Sequence, residues 1–379
     1  MKRLIPILLL VLTASCTSRS DIHVWGYTPD SDSCYAQGVS AAFCGVIDGH
    51  LIMAGGANFP ESPAAQGGAK RYYNAVYASS VKGKNLHWER VGVLPHPMAY
   101  GVAVSDEQGM VFVGGCNTEG GLCGAFRLRR TGNILRYEPY ASLPFTLDNM
   151  AGALMDNKLY VVGGLKDGVS SNGMYMLNLK ANEWFECAPI PGAPRVQPVC
   201  AAQGGKLYVW GGYDQPVDSL GRVVADGCMV HSDGWQYDPK EDKWSPLPTP
   251  SNAEGHPMTL TGGAALPWGK EEVLAVGGVN RNVFLGGIQG IFPMPDYLEH
   301  EAEWYKFNPC LMAYNVNTGI WRVVDQSELL ARAGESLVTV PIADPKNGET
   351  EDAVLVIGGE IKPGIRSTNV TCIPSSVIR

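Results

Sequence analysis

The sequence has few charged residues, and positive charge is in deficit. Charged residues fill 17% of the 379 positions against 45% apolar residues, which excludes an intrinsically disordered chain and provides for a large core. The 29 lysines and arginines are outnumbered by 37 aspartates and glutamates, so the formal net charge is −8. A nucleic-acid-binding protein needs a basic surface, and this class is therefore not indicated. Any anionic ligand needs positive charge that is placed locally.

The N-terminal apolar run is too short to cross a membrane as a mature helix. Leu4 to Leu12 follows two basic residues and precedes the small residues before Cys16, a layout that predicts a secretory signal over residues 1–15. The stretch Thr13 to Cys16 resembles a lipobox, in which the cysteine is acylated and becomes the mature N-terminus; ordinary cleavage is the alternative. The expected location is the periplasm or, with a lipid on Cys16, the outer membrane of a Gram-negative bacterium.

The other nine cysteines show no metal-ligand spacing, and their odd number excludes complete pairing. Cys116 and Cys123 flank a short predicted hairpin, so a disulfide can join them in an oxidising compartment. Free thiols that act as small apolar residues are the alternative for this pair and for the rest. The cysteines therefore predict no metal site.

Glycine and proline are abundant, with 46 and 26 residues, and a turn-rich all-β protein is the simplest way to use them. Apolar strands end in Gly-Gly six times, at intervals of roughly 50 to 80 residues. The pairs are Gly55-Gly56, Gly114-Gly115, Gly163-Gly164, Gly211-Gly212, Gly277-Gly278 and Gly358-Gly359. This repeat predicts a structural unit of about 50 residues, with insertions in the later copies.

An aromatic residue precedes a turn after each of the first five pairs. These residues are Trp88, Tyr137, Trp184, Trp244 and Trp321. The sixth pair lacks one, and Trp25 supplies it from the N-terminal end, so we expect the N-terminal strand to pair with the last strand and complete a circular fold. The tryptophans are expected to fill the wedges between neighbouring sheets with their N–H groups on carbonyls, and the glycines to adopt positive φ.

The pattern resembles the kelch repeat. This resemblance implies an all-β, six-bladed kelch-type β-propeller, closed by pairing of the N- and C-terminal strands, as a single domain over residues 22–379. Between the later repeats, an insertion at about 282–309 predicts a short helix, which either caps the central channel or covers an edge. Propellers of this type include protein-binding platforms, sugar oxidases and sugar epimerases, so the function depends on loop residues.

One loop combines a carboxylate with a guanidinium. Pro363-Gly364 predicts a tight turn, with Gly364 at the positive-φ position. Glu360 and Arg366, on either side of the turn, are then expected to face each other at the base of a hairpin. From the spacing alone, an ordinary surface ion pair worth less than about 1 kcal/mol is the alternative.

Segments along most of the chain resemble the N-acetylneuraminate epimerase family, the sialic acid mutarotases of bacteria. The segments are GGEIKPGIR with Glu360, GGVNRNVF with Asn280, PIPGAPR ending at Arg195, NAEGHPM around His256, and AYGVAV with Tyr100. In that family the GE-x-KPG-x-R loop lies in the middle of the chain, whereas here it lies near the C-terminal end. The chain therefore resembles a cyclically permuted member, a change that a closed propeller tolerates.

The resemblance implies an exported isomerase that interconverts the α and β anomers of N-acetylneuraminate, or of a related 2-keto sugar acid, without a cofactor. The family's acid/base glutamate corresponds to Glu360 and its loop arginine to Arg366. A carboxylate can take and return the proton during ring opening, and an arginine matches the substrate carboxylate. Further substrate-binding candidates are Arg195, Arg332, Asn280, Arg281, His256 and Tyr100. A structural ion pair is the alternative for Arg195, and simple packing is the alternative for His256 and Tyr100.

Two other classes of function remain as alternatives. A galactose-oxidase-like copper enzyme would need two histidine ligands and tyrosines, and the seven histidines do not occupy matching loop ends. A non-catalytic glycan- or protein-binding propeller, held at the cell surface by an N-terminal lipid, predicts an exposed aromatic platform and no need for Glu360. The sequence leaves the oligomeric state and the preferred sialic acid open.

Overall fold

The computed structural model describes residues 21–81, 86–132, 134–343 and 349–379. The predicted signal and Cys16 lie outside the described residues. Within these ranges the chain is built from short antiparallel strands with a few short helices, which confirms the prediction of an all-β protein. None of the helices in the described ranges has the length and apolar character needed to cross a membrane.

The first three sheets follow one another along the chain, and each is a path of four antiparallel strands in chain order. Sheet 1 contains Phe43–Ile47, His50–Ala54, Ala75–Ser80 and Trp88–Val93. Sheet 2 contains Val102–Asp106, Gly109–Val113, Ala125–Thr131 and Ile134–Tyr140. Sheet 3 contains Ala151–Met155, Lys158–Val162, Met174–Asn178 and Glu183–Cys187.

The next two sheets repeat this order, and the sixth takes its outer strand from the N-terminus. Sheet 4 contains Val196–Gln203, Lys206–Asp214, Gly234–Asp238 and Lys243–Leu247. Sheet 5 contains Ala264–Trp268, Glu272–Val276, Cys310–Asn315 and Ile320–Gln326. Sheet 6 contains Ala333–Ala343, Thr350–Lys362, Asn369–Pro374 and His23–Tyr27. The pairing of His23 with Cys372 and of Tyr27 with Asn369 joins the two ends of the chain as the sequence predicted.

The first strands of the six sheets form a closed ring. Each contacts the first strand of the next sheet, and the strand of sheet 6 contacts that of sheet 1. At the start of each of these strands, one residue has positive φ. Its N–H donates to the carbonyl of the corresponding residue in the preceding sheet, at 2.7–3.2 Å. These six residues are Ala41, Tyr100, Asn149, Gln197, Gly262 and Gly334. This hydrogen-bonded ring surrounds one mouth of a central channel lined by all six first strands.

The six Gly-Gly pairs lie at or near the ends of the second strands on the same side of the ring, and in sheets 4 and 6 the strand continues past the pair. All twelve glycines have positive φ, as predicted. The pair in sheet 6 shows why glycine is needed. The N–H of Gly359 donates to the carbonyl of Val39 at 3.0 Å, and a Cβ on Gly358 would overlap that same carbonyl. The pairs therefore bring each second strand against the start of the next sheet.

The outer aromatic residues connect neighbouring sheets, as the sequence predicted. Four tryptophan N–H groups donate to carbonyls on the preceding sheet: Trp88 to Tyr27 at 2.7 Å, Trp184 to Ala141 at 2.7 Å, Trp244 to Ala188 at 2.8 Å and Trp321 to Pro248 at 3.2 Å. The hydroxyl of Tyr137 donates to Val93 in the same way. Five of the six wedges are thus closed by an amphipathic ring whose polar end is satisfied.

All but one of the shorter elements lie in the loops on the Gly-Gly side, the exception being the last helix, which follows the third strand of sheet 6 at the opposite end. Helices α1 (Arg281–Ile288), α2 (Asp296–Glu299) and α3 (Ala302–Tyr305) lie between the second and third strands of sheet 5, and α4 (Ser375–Ile378) follows sheet 6. The short strands are Ala57–Asn58, Arg71–Tyr72, Cys116–Asn117, Gly120–Gly121, Leu147–Asp148, Leu165–Lys166, Val169–Ser170, Met229–Val230 and Ile365–Arg366. Single 3-10 turns are Tyr35–Gln37, Ala64–Gln66, Ala225–Gly227 and Glu328–Leu330.

The cysteines of the described ranges are all free thiols. A disulfide between Cys116 and Cys123 is therefore not formed in this structure. The thiol of Cys116 lies 3.8 Å from the hydroxyl of Tyr72 instead, and burial raises the pKa of this thiol to about 11. Reactivity of a thiol requires the thiolate, so this environment does not favour oxidation.

Candidate active site

Glu360 and Arg366 form an ion pair across the predicted turn. The long strand Thr350–Lys362 pairs with the short strand Ile365–Arg366, and this register places Glu360 opposite Arg366. Arg366 Nη1 donates to Glu360 Oε2. Gly364 has φ +84°, the conformation required at the third position of a type II turn, and its N–H donates to the same Oε2 at 3.3 Å.

Arg366 is buried and braced, so it holds the carboxylate in place. Only 3% of its side chain is exposed, against 26% for Glu360. Its Nε donates to the carbonyl of Ala57 at 3.2 Å, and its guanidinium lies 5.4 Å from the ring centroid of Phe59. Nε and Nη1 are taken by these contacts and orient Glu360. No described residue accepts from Nη2, and this atom is not among the buried polar atoms that lack a partner, so the substrate contact of Arg366 stays a prediction.

The second oxygen of Glu360 is free for chemistry. No described residue donates to Oε1, and this atom is not among the buried polar atoms that lack a partner, so it faces solvent. One oxygen is thus fixed by Arg366 and Gly364 while the other is open. A general base must reach the proton that it abstracts, and this arrangement satisfies that condition.

Lys70 and Tyr100 lie near the Glu360–Arg366 pair, next to Phe59. The ammonium of Lys70 lies 5.7 Å from the ring centroid of Phe59 and 5.0 Å from that of Tyr100, and it donates to the Tyr100 hydroxyl at 3.3 Å. Phe59 therefore has two cations close to its ring, Lys70 and Arg366. Tyr100 also belongs to the hydrogen-bonded ring, which places the group at the mouth of the channel.

The helical insertion covers the other side of the loop. Lys362 donates to the carbonyl of His300 at 2.6 Å, and α3 contacts the long strand that carries Glu360. Burial first, and then the charge of Glu360 among other groups, raises the pKa of Tyr297 and Tyr305 above the usual range. The insertion therefore contributes two phenols close to Glu360 and is tied to its loop.

Glu335 is a carboxyl group that the sequence analysis missed. It lies at the start of the first strand of sheet 6, where it lines the channel mouth and is 7% exposed. Neither of its oxygens has a hydrogen-bond partner among the described residues. Burial raises its pKa to about 8, and the charge of Glu360 adds to this effect, while the nearby backbone N–H of Glu335 itself and the charge of Arg332 oppose it.

Comparison of the repeats could have revealed this residue. In the other five sheets, the residue after the ring position is Ala42, Gly101, Met150, Pro198 or Gly263. All five are uncharged, and only sheet 6 has a carboxyl group there. A charge at one copy of an otherwise apolar repeat position is a signal of function rather than of packing.

The buried arginines Arg195 and Arg332 do not join the Glu360 site. Arg195 donates to Asp233 at 2.7 Å and to the carbonyl of Gly211 at 3.0 Å, which matches the structural ion pair left open by the sequence. Arg332 donates to backbone carbonyls, including that of Gly358 at 3.0 Å, and to Thr371 Oγ1 at 2.6 Å. Burial lowers the pKa of Arg332 to about 10. Its guanidinium braces the strand two residues before Glu360.

His256, Asn280 and Arg281 share a different cavity of about 780 Å³, whose lining residues do not include Glu360 or Arg366. Asn280 caps α1, because its side chain accepts hydrogen bonds from the N–H groups of Asn282 and Val283 at 3.1 and 3.2 Å. His256 and Arg281 are exposed. The sequence analysis named all three as substrate-binding candidates, and the structure places them in a cavity apart from Glu360.

A row of polar residues crosses the channel mouth beside Tyr100. Gln197 Nε2 donates to Asn149 Oδ1 at 2.8 Å, and Asn149 Nδ2 donates to Asp148 Oδ1 at 2.6 Å. Burial raises the pKa of Asp148. This row was not predicted, since Gln197 belongs to a different repeat from Asp148 and Asn149. Across the described part of the chain, no three His, Cys, Asp or Glu side chains are grouped as a metal site would need.

The sequence was compared with known protein families. A family description named N-acetylneuraminate epimerase matches residues 21–135 and 140–375 of this chain. These segments include the Glu360–Arg366 loop, Lys70, Tyr100 and Glu335. The match covers most of the chain that the structure describes.

Several relatives carry the same name. The N-acetylneuraminate epimerase of Pasteurella multocida (strain Pm70) is 30% identical over 240 residues, which is 60% of this chain and 57% of the relative. Those of Haemophilus influenzae (strain PittEE) and Yersinia enterocolitica (serotype O:8) are both 31% identical, over 61% and 62% of this chain. The chain thus spans less than two thirds of the length of these curated relatives, at 57–58%.

Proposed function

Because the chain belongs to the N-acetylneuraminate epimerase family, we propose that it is a mutarotase, an isomerase that interconverts the α and β anomers of N-acetylneuraminate. The observation that carries this proposal is the Glu360–Arg366 pair, which offers one fixed and one open carboxylate oxygen at the mouth of a channel. The relatives' names supply the substrate.

Glu360 is the acid/base group of the proposed reaction. Its Oε1 takes the proton from the anomeric hydroxyl as the bond between the anomeric carbon and the ring oxygen breaks, and the protonated carboxyl then gives that proton to the ring oxygen. The open-chain ketone rotates, and the same steps run in reverse on the other face. The proton returned equals the proton taken, so no cofactor is needed.

Positive charge beside Glu360 suits an anionic sugar. The substrate bears a carboxylate on its anomeric carbon, and the chain itself has an excess of acidic residues. The exposed edge of the site offers Lys70, while Arg366 is largely buried and engaged. Lys70 is therefore the better candidate for the substrate carboxylate, with Tyr100 beside it as a hydroxyl donor.

We further propose that the fold is a six-bladed kelch-type β-propeller in a single domain over residues 22–379, with the insertion at about 282–309. The six sheets, the ring of six hydrogen bonds and the pairing of the terminal strand support it. We also propose a cyclic permutation relative to the family. Alignments that end after about three fifths of each chain are what an exchanged order of two parts would produce.

We propose that the protein is exported, with residues 1–15 as its signal and a lipid on Cys16 in the outer membrane of a Gram-negative bacterium. The layout of basic, apolar and small residues before Cys16 supports this. Metabolic labelling with a fatty acid tests the lipid, because wild-type protein should take up label and a Cys16→Ala variant should not.

The test of the activity is a proton NMR time course. A sialidase releases the α anomer, and the growth of the β-anomer signals is followed with and without the protein. The proposal predicts that equilibrium is reached faster in proportion to protein concentration. Equal time courses with and without the protein would remove the proposed function.

A further inference from the structure

Glu335 is a buried carboxyl group for which the proposed reaction has no use so far. Its side chain lies against Gly277 of sheet 5, where a Cβ on the glycine would overlap Oε1. Both oxygens lack hydrogen-bond partners among the described residues. Burial of an ionised carboxylate without a partner is far more costly than burial of a neutral one, so this environment favours the protonated form.

Arg332, only three residues away, does not serve as a counter-ion. Its Nη1 donates to the carbonyls of Gly358 and Asn369, and its Nη2 donates to Leu329 and Thr371 Oγ1. No donor of this guanidinium reaches Glu335. A cation that could neutralise the carboxylate is thus bonded to the backbone instead.

Glu360 is the carboxylate next to Glu335. Ala333 pairs with Glu360 in the first and second strands of sheet 6, and Glu335 pairs with Gly358, so the two glutamates are diagonal neighbours. The residue positions of such neighbours lie about 7–8 Å apart in antiparallel sheets. Two carboxylates on neighbouring positions repel each other when both are ionised, and the charge of Glu360 accordingly contributes to the raised pKa of Glu335.

The charged groups that act on Glu335 come from its own strand and from the neighbouring strand. The start of its own strand presents Arg332, the neighbouring strand presents Glu360, and sheet 5 presents Gly277, which has no charge. Burial and the charge of Glu360 raise the pKa of Glu335, while its own backbone N–H and the charge of Arg332 lower it.

We propose that Glu335 is a positioning residue of the site, a second carboxyl group that holds its proton so that Glu360 alone carries the negative charge. This inference rests on the proposed function. Ionisation of Glu335 in alkaline solution places a second negative charge beside Glu360, and this charge repels an anionic substrate. The alkaline limb of the activity is then set by Glu335.

The first test is independent of activity. Full-length protein labelled with ¹³C at the glutamate side-chain carboxyl carbons is titrated by NMR, and Glu335→Gln identifies the resonance that disappears. We expect this resonance to titrate with a midpoint near 8, and the midpoint to fall by at least about half a unit in Glu360→Gln, which removes the neighbouring charge. A midpoint below about 6, or the same midpoint in Glu360→Gln, would overturn the proposal.

The second test is the pH profile of mutarotation. We expect the wild-type rate at pH 9 to be about one tenth of that at pH 6.5, because a like charge at this distance changes an equilibrium by about tenfold. In Glu335→Gln the ratio of the two rates should be close to one. An unchanged ratio would contradict the proposal. If Glu335→Gln does not fold, Glu335→Asp identifies the resonance, and a protein without mutarotase activity still gives a result in the titration.

Discussion

Two ion pairs in this molecule look alike by burial and differ in what their carboxylates can do. In both Arg366–Glu360 and Arg195–Asp233 the arginine side chain is 2–3% exposed and also donates to a backbone carbonyl. Asp233 Oδ2 accepts from Arg195 and from Trp235 Nε1 at 3.0 Å, while its Oδ1 lies 3.6 Å from His231 Nδ1. Glu360 has all its partners on Oε2, and its Oε1 is open.

An ion pair with a buried arginine is therefore not by itself evidence of catalysis. Although burial raises it, the hydrogen bond and charge of Arg195 hold the pKa of Asp233 below its usual value, as expected of a structural carboxylate. Glu360 instead stands beside a second carboxyl group, a lysine and the channel mouth. The surroundings of the pair, rather than the pair, assign the function.

The largest expected effect separates the two pairs by reaction rate. Glu360→Gln should lower the rate of mutarotation at least about 100-fold, because the amide cannot accept the proton. The matched control, Asp233→Asn, should keep the rate per folded molecule within about threefold, since its oxygens do not face the site. The comparison fails if both variants lose the same activity.

The next effect concerns Glu335. Unlike most carboxyl groups, it lowers the free energy of unfolding when the pH rises. Its pKa is raised from 4.5 to about 8, so the folded protein binds its proton more tightly than the unfolded chain. Below about pH 4 the carboxyl group is protonated in both states, so the raised pKa does not change the free energy of unfolding. As the pH rises towards 8, only the unfolded chain loses the proton, and the free energy of unfolding falls. Glu335→Gln should therefore raise the free energy of unfolding by about 3 kcal/mol at pH 7 and leave it unchanged at pH 4.

Urea unfolding of wild type and variant at the two pH values measures this effect. The same substitution at Glu360 is the control, because that carboxylate has a cation partner. A Glu335→Gln protein that is less stable than wild type at pH 7 would mean that the ionised carboxylate has a favourable partner in the folded protein.

A smaller effect should be common to both ion pairs. Glu360→Gln and Asp233→Asn each leave a buried guanidinium without its carboxylate, which lowers the free energy of unfolding. Because the carboxylates are partly exposed, we expect about 1–2 kcal/mol, less than for a fully buried pair. Similar losses of stability with different losses of activity are the signature of the comparison, and a much larger loss in one variant would undo the match.

The smallest expected effect compares two predicted substrate contacts. Tyr100→Phe should raise KM about threefold with little change in kcat, because it removes one hydroxyl beside Lys70. His256→Ala should leave KM unchanged, since His256 lines the separate cavity. Steady-state measurements on the two variants check this, and a rise in KM in His256→Ala alone would exchange the roles of the two cavities.

Much of the fold could be predicted because the repeat contains residues with strong local conformational preferences. Glycine pairs with positive φ, outer tryptophans and the strand around Trp25 were identified from the sequence and found in those roles. The Glu360–Arg366 hairpin was predicted in the same way, since Pro363-Gly364 defines a turn. These are local signals that do not depend on distant parts of the chain.

The rest of the site depends on contacts between repeats. Arg195 and Arg332 have the residue type of a ligand contact, but only the fold reveals that the Nη atoms of Arg195 donate to Gly211 and Asp233 and that Arg332 donates to backbone carbonyls and Thr371. Lys70 lies in a loop of sheet 1 and reaches the site only because the ring brings sheets 1 and 6 together. The burial of Glu335 likewise could not be predicted from the sequence, because it depends on the packing of sheet 6 against Gly277 of sheet 5.

The most direct test of the account is exchange NMR at anomeric equilibrium, which needs no sialidase. Magnetisation transfer between the C3 proton signals of the two anomers of N-acetylneuraminate is recorded with wild type, Glu360→Gln and Asp233→Asn at equal concentration. We expect exchange peaks with wild type and with Asp233→Asn. With Glu360→Gln the intensity of these peaks should not exceed that of the sample without protein. Exchange peaks of equal strength in all three samples would contradict the assignment of the reaction to Glu360.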